Sequence, residues 1–168
     1  MNITFAPRGI LQIDDARIIF RNFSGRGDKF NREGDRNFCL LIENEEDADR
    51  LAEAGWNVKI KAPREEGDTP FMYMKVNVKF NDRGPIVYLK SGNERPVQLD
   101  EESIDCLDNI DIAGIDMDIR PYDWERPDGA SGRTAYLQSI HVTQEIDRFA
   151  ARYSSTAGFG IPGRNEDY

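Results

Sequence analysis

The side chains that could carry chemistry fall into three groups: isolated thiols and one imidazole, clustered carboxylates, and bases interleaved with aromatic rings. Cys39 and Cys106 stand 67 positions apart, no Cys-x-x-Cys occurs, and His141 is the only histidine. A four-ligand zinc site cannot be assembled from that set, and neither metal nor cofactor is expected. Cys39 lies in the apolar run Phe38-Cys39-Leu40-Leu41-Ile42 and reads as a buried, reduced thiol. There is no Gly-x-Ser-x-Gly, and His141 has no carboxylate before Glu145, so an activated nucleophile is not legible. Ser24-Gly25-Arg26-Gly27 lacks the third glycine and the following helix of a phosphate-binding loop.

The carboxylates are concentrated. Residues 99–118 carry Asp100, Glu101, Glu102, Asp105, Asp108, Asp111, Asp116 and Asp118 and no base. Asp116 and Asp118 share one strand face, the minimum for a two-metal nuclease, although a solvated acidic strand has the same spacing. The whole block would also suit an interaction surface for a replisome or host-defence protein, with Asp105 and Asp108 as the charges whose reversal would test it.

The bases are segregated from these acids. Residues 17–36 hold six bases against three acids, and residues 75–98 hold five against two. Rings accompany them. Phe23 and Phe30 lie among Arg21, Arg26 and Lys29, and Tyr73 lies beside Lys75 and Lys79. Tyr122 and Trp124 share a strand face with Arg120. Rings that stack bases at about 1–3 kcal/mol each, beside cations that follow phosphates, form the mixture that a single-stranded nucleic acid requires. The plain alternative is cross-strand packing for the rings and a solvated tip for the loop at 24–36.

These residues must be positioned by short strands. The chain has 168 residues and a formal charge of −9, enough length for one domain with a core. No apolar run reaches the ~20 residues of a membrane span, and the start, Met1-Asn2-Ile3-Thr4-Phe5, does not read as a secretory signal. Strands are expected at 10–23 (in two parts, 10–13 and 16–23), 36–42, 56–61, 71–80, 86–90, 115–124 and 133–146. In the second part of the first, Ile18 and Phe20 fall on one face and Arg17, Arg21 and Phe23 on the other. Phe71 to Phe80 alternates cleanly, with Met72, Met74, Val76, Val78 and Phe80 on one face. A helix follows Asn44, with acids in its first turn, Ala48, Leu51, Ala52 and Gly55 inward, and Gly55 at its end. A second short helix is expected within 100–107. Pro121 requires an edge or a bulge in its strand. About seven strands and two short helices suit a small β-barrel rather than a βαβ sheet.

Several stretches resemble one family. Arg21-Asn22-Phe23-Ser24-Gly25, Phe38-Cys39-Leu40-Leu41-Ile42 and Leu51-Ala52-Glu53-Ala54-Gly55-Trp56-Asn57-Val58-Lys59 are similar to the bacteriophage single-stranded-DNA-binding proteins with an OB-fold. So are Leu107-Asp108, Ile119-Arg120-Pro121-Tyr122-Asp123-Trp124 and Gly132-Arg133-Thr134-Ala135-Tyr136-Leu137. The resemblance spans about Ile18 to Tyr153. It implies a mainly β, OB-fold-like small barrel over residues 1–153 that binds ssDNA without sequence preference, in phage replication or recombination and in the cytoplasm of the infected bacterium. It implies no enzyme activity. The expected contacts are Arg17, Arg21, Phe23, Arg26, Lys29, Tyr73, Lys75, Lys79, Arg120, Tyr122 and Trp124. Residues 154–168 read as a flexible, mildly acidic tail, whose Glu166, Asp167 and Tyr168 would recruit phage or host replication and recombination proteins. A homodimer is a possible assembly.

Overall fold

The computed structural model describes residues 1–68 and 70–146. Their strands are β1 (Asn2–Phe5), β2 (Leu11–Asp14), β3 (Ile18–Asn22), β4 (Arg36–Ile42), β5 (Lys59–Lys61), β6 (Phe71–Val78), β7 (Ile86–Ser91), β8 (Val97–Leu99), β9 (Ile112–Glu125) and β10 (Ser131–Gln144). One α-helix, α1 (Glu45–Glu53), and two 3-10 turns, Pro7–Gly9 and Ile104–Asp108, complete them. The strands form one sheet in the order β1-β2-β9-β10-β6-β4-β3, with β5 beside β6, β7 beside β10 and β8 beside β7. The mainly β expectation holds, with ten strands rather than about seven. The hydrogen-bonded path does not close into a complete barrel.

Alternation builds the core. On β6, Met72, Met74, Val76 and Val78 are buried while Tyr73, Lys75 and Asn77 face outward. Phe38, Leu40 and Ile42 of β4 and Ile115, Met117 and Ile119 of β9 meet them. On β10 the buried set changes phase, from Ala135 and Leu137 to Ile140 and Val142. A register shift between Leu137 and Ser139 absorbs the extra residue and keeps both sets inward. Pro121 pairs with Ala135, but β2 meets β9 only at residues 117–119, so the missing N–H falls on a free edge, as its residue type requires.

α1 forms because Asn44 accepts from the Asp47 N–H at 2.8 Å and acids occupy the first turn. Ala48 and Leu51 are its buried residues. Ala52, expected inward, is exposed, since nine residues turn only a narrow stripe to the core. Ile60 is likewise exposed, in a three-residue strand that pairs only with β6.

The largest departure lies in β3. Between the pairs Ile19–Cys39 and Asn22–Asn37 the register slips, and Phe20 takes φ 52°. This bulge turns Phe20 outward, 60% exposed, and drives Phe23 fully into the core against Phe38, with ring centroids 5.2 Å apart. The expected facing of the two rings is thereby reversed.

Candidate nucleic-acid interface

The outer face of β6 is the axis of the candidate site. At one end, a groove of about 500 Å³ lies between the loop after β3 and strand β5. Its lining includes Arg26, Asp28, Phe30 and Asn31 from the loop, Lys59 and Lys61 from β5, and Tyr73 and Lys75 from β6. Phe20 also lines it and packs in a ring cluster with Phe71 at 5.9 Å and Tyr73 at 6.2 Å. A non-glycine residue in the left-handed region is strained, and here the strain aims a large ring into a charged groove.

The loop that walls this groove is not a free tip. Asn22 Nδ2 donates to the Arg26 and Asp35 carbonyls, its Oδ1 accepts the Arg26 N–H, and the Gly34 N–H reaches the Gly25 carbonyl. Asn37 Nδ2 donates to Asn31 Oδ1 at 2.8 Å. These bonds explain why Asn22 and Asn37 are the buried polar side chains among the described residues. Asp28 Oδ1 accepts the Phe30 and Asn31 N–H groups, which hold its carboxyl below the usual range. Phe30 is 80% exposed, with Lys29 Nζ 5.1 Å from its ring centre. Cys39 lies under the groove, and burial raises its thiol pKa. It is a free thiol, as expected, and so is Cys106.

Lys59 and Lys75 also line an adjoining depression with Trp56, Asn77 and Arg133. The Arg133 guanidinium lies 5.0 Å from the Trp56 ring, donates to the Ala54 carbonyl, and grips Asp123 at 2.6 and 3.2 Å. That grip lowers the Asp123 pKa. Farther along, Asn77 pairs with Tyr136, which begins a third depression lined by Lys79, Arg83, Arg120, Tyr122 and Tyr136. The Arg120 guanidinium sits 4.9 Å from the Tyr136 ring centre, and Tyr122 meets the same ring edge-on at 6.2 Å.

The structure therefore gathers Arg26, Tyr73 and Lys75 in one depression and Lys79, Arg120 and Tyr122 in another, joined along β6. Trp124 stands beyond Tyr122, its ring against Gly132 and under Arg126. Two expectations need correction. Phe23 is core and presents no ring. Arg17 is outside the groove, paired with Glu43 at 3.6 Å and lining a different cleft with Asp15 and Asp111. Arg21 borders the groove but spends Nη1 on the carbonyls of Leu107 and Ile110. Phe20, Phe30, Lys59, Lys61, Arg83, Arg133 and Tyr136 also line these depressions and are not among the expected contacts. The Lys59-Ile60-Lys61 alternation is a readable signal, whereas the Phe20 bulge is not. Glu166, Asp167 and Tyr168, with the rest of the expected tail, lie outside the described residues.

Four of the eight acids in the 99–118 block are engaged within the fold. Asp100 caps its own turn through Ser103, which lowers its pKa, Glu101 pairs with Arg36, and Asp108 accepts two backbone amides. Asp116 accepts the Asp15 N–H, and burial with nearby Asp14 raises the pKa of Asp118. Among the described residues, no group of three or more His, Cys, Asp or Glu is placed to hold a metal ion. Among the described residues, no helix is long and apolar enough to cross a membrane.

An open, OB-like sheet with a basic, ring-lined outer face defines the class of β-sheet nucleic-acid-binding modules. The chain belongs to the family described as "Putative phage ssDNA-binding domain", whose model matches residues 3–167. In fold it is similar to the single-stranded DNA-binding protein from bacteriophage Enc34. The C-terminally truncated form has 14% identity and a TM-score of 0.54, covering 87% of this chain and 91% of that one. The form solved in complex with ssDNA has 16% identity and a TM-score of 0.50, covering 87% and 92%. No curated protein matches the sequence.

Proposed function

We propose that this chain is a non-enzymatic, sequence-independent ssDNA-binding protein that serves phage replication or recombination in the cytoplasm of the infected bacterium. The observation that carries this reading is the continuity of the outer face. The first two depressions share Lys59 and Lys75, and the Asn77–Tyr136 pairing leads into the third. Phosphates follow Arg26, Lys59, Lys61, Lys75, Lys79, Arg83 and Arg120, while bases stack on Phe20, Phe30, Tyr73, Tyr122 and Tyr136. Membership of the phage ssDNA-binding family supports the same ligand.

The net charge of −9 is compatible with a polyanion because acids are sparse on this face, where Asp28 and Asp82 are the acidic lining residues of the first and third depressions. Residues 154–168 remain our candidate for recruiting replication and recombination proteins. The test is a fluorescence titration of the full chain against poly-dT at rising salt. Affinity should fall with a log–log slope of about −0.7 per phosphate neutralised. Absence of binding at low salt overturns the reading. Labelled ssDNA incubated with magnesium or manganese should stay intact, and cleavage would overturn the non-enzymatic assignment.

A further inference from the structure

The loop wall of the first groove is fastened at its base to the acidic 3-10 turn in a reciprocal way. Asp108 Oδ1 accepts the Phe23 N–H at 2.7 Å and its Oδ2 accepts the Ser24 N–H at 3.0 Å. From the other side, Arg21 Nη1 donates to the carbonyls of Leu107 and Ile110, each at 2.8 Å. The turn's carboxylate thus holds the loop's amides while the strand's guanidinium holds the turn's carbonyls. Phe23, between them, is locked in the core. Two residues past Ser24 the chain reaches Arg26, and from there Phe30, both of which line the groove.

We infer that Asp108 is a positioning residue for DNA binding, which fixes the root of the loop so that Arg26 and Phe30 stand across the groove from Tyr73. The inference rests on the proposal that this groove takes ssDNA. Amide bonds to a carboxylate are charge-assisted and stronger than neutral ones. An asparagine of the same shape offers one oxygen where two amides converge, and turns an N–H₂ toward a donor. Long-range electrostatics makes the opposite demand. A carboxylate near a polyanion site repels the ligand, so removing its charge should tighten binding. The two effects therefore differ in sign.

The experiment compares wild type, Asp108→Asn, Phe30→Ala and the double variant, all as full chains, for affinity to an oligo-dT probe across a salt series. Amide hydrogen exchange without DNA is measured in parallel. Asp108→Asn should bind about tenfold more weakly. Its salt slope should be unchanged, because no phosphate-facing base is lost. The loss should shrink in the Phe30→Ala background, since both changes act through one wall. Exchange should rise from Phe23 through the loop while β6 and β9 keep their protection. Unchanged or tighter binding, strict additivity, or unaltered loop exchange overturns the inference. Asp108→Glu, which keeps the charge but moves the carboxylate, replaces the asparagine variant if that one does not fold, and should also bind more weakly. If wild type fails to bind at low salt, the proposed function falls, while the exchange profile still decides whether Asp108 holds the loop.

Discussion

Asn77 of β6 lies directly beside Tyr136 of β10, and its side-chain amide donates to the Ala135 carbonyl at 3.4 Å. It is the one register pair recorded between these two strands, and it joins the groove walled by the β3 loop to the Arg120–Tyr136 patch. At about 3.3 Å per residue, the outward run from Tyr73 to Lys79 covers roughly 20 Å. Rings therefore stand at both ends of a basic track.

That track should behave as an electrostatic unit. Lys75→Ala and Arg120→Ala should each weaken binding to any ssDNA sequence and lower the magnitude of the salt slope by about 0.7. Arg120→Ala should cost more, because it also releases the Tyr136 ring that it covers. Arg17→Ala should leave both quantities unchanged, since Arg17 faces Glu43 outside the groove. Equal effects from Arg17 and Lys75 in the same titrations would refute this partition.

Phe20 and Phe23 should separate binding from stability. Phe23 is fully buried on Phe38, so Phe23→Ala should destabilise the fold by about 3–5 kcal/mol, measured by denaturant unfolding. Phe20 is 60% exposed at φ 52°. Phe20→Gly should relieve the left-handed strain and change stability little, while costing about 1–3 kcal/mol of ssDNA affinity if the ring stacks a base. A large stability loss at Phe20 with unchanged affinity would contradict the assignment.

This pair also shows where sequence reading stops. The alternation of Phe71 to Phe80 placed Tyr73, Lys75 and Lys79 outward, because a regular strand has a period of two. Asn44 and the acids behind it announced α1 through capping chemistry. The cation-ring pattern around Arg120 and Tyr122 likewise marks side chains that the fold brings together in one depression. A bulge breaks the period without a compositional mark, so strict alternation puts Phe20 and Phe23 on the wrong faces. Long-range fixings are equally silent. Nothing local to Asp108 says that it bonds residues 85 and 84 positions away, and nothing local to Arg17 says that it faces Glu43 rather than the groove. The strands β1 and β8, with four and three residues, carry too little periodicity to register.

Asp118 should make stability depend on pH. Burial, and then the charge of Asp14, raises its pKa in the folded chain above that of the unfolded chain. The ionised form is therefore penalised in the fold. Above the raised pKa the penalty is complete, and it is relieved as pH falls through that value. Asp118→Asn should raise the melting temperature at neutral pH by about 1–3 °C, a small gain because solvent still reaches the carboxyl. The difference from wild type should vanish in acid below the ordinary aspartate range. A gain that persists or grows there would show that the charge is not its cause.

Gly132 lies opposite Trp124 in the β9–β10 ladder, and the indole occupies the space that a side chain would need. A Cβ at Gly132 would stand 2.5 Å from Trp124 Cζ2 and 2.9 Å from Cε2, well inside carbon–carbon contact. The backbone of Gly132 is not in the left-handed region, so a substitution there acts through this contact alone. Gly132→Ala must push the ring off the sheet and away from its place under Arg126. Overpacking of this kind costs about 1–3 kcal/mol, less where solvent lets the ring swing free. The other tryptophan, Trp56, is 5% exposed beneath Arg133 and should not respond. The variant should therefore shift tryptophan emission to the red through Trp124 only, a shift that Trp124→Phe in the same background removes. If Trp124 extends the stacking track beyond Tyr122, Gly132→Ala should also diminish the emission change on ssDNA addition. Unchanged emission in the free protein would show that the ring does not rest on Gly132, and an undiminished response to ssDNA would end the track at Tyr122.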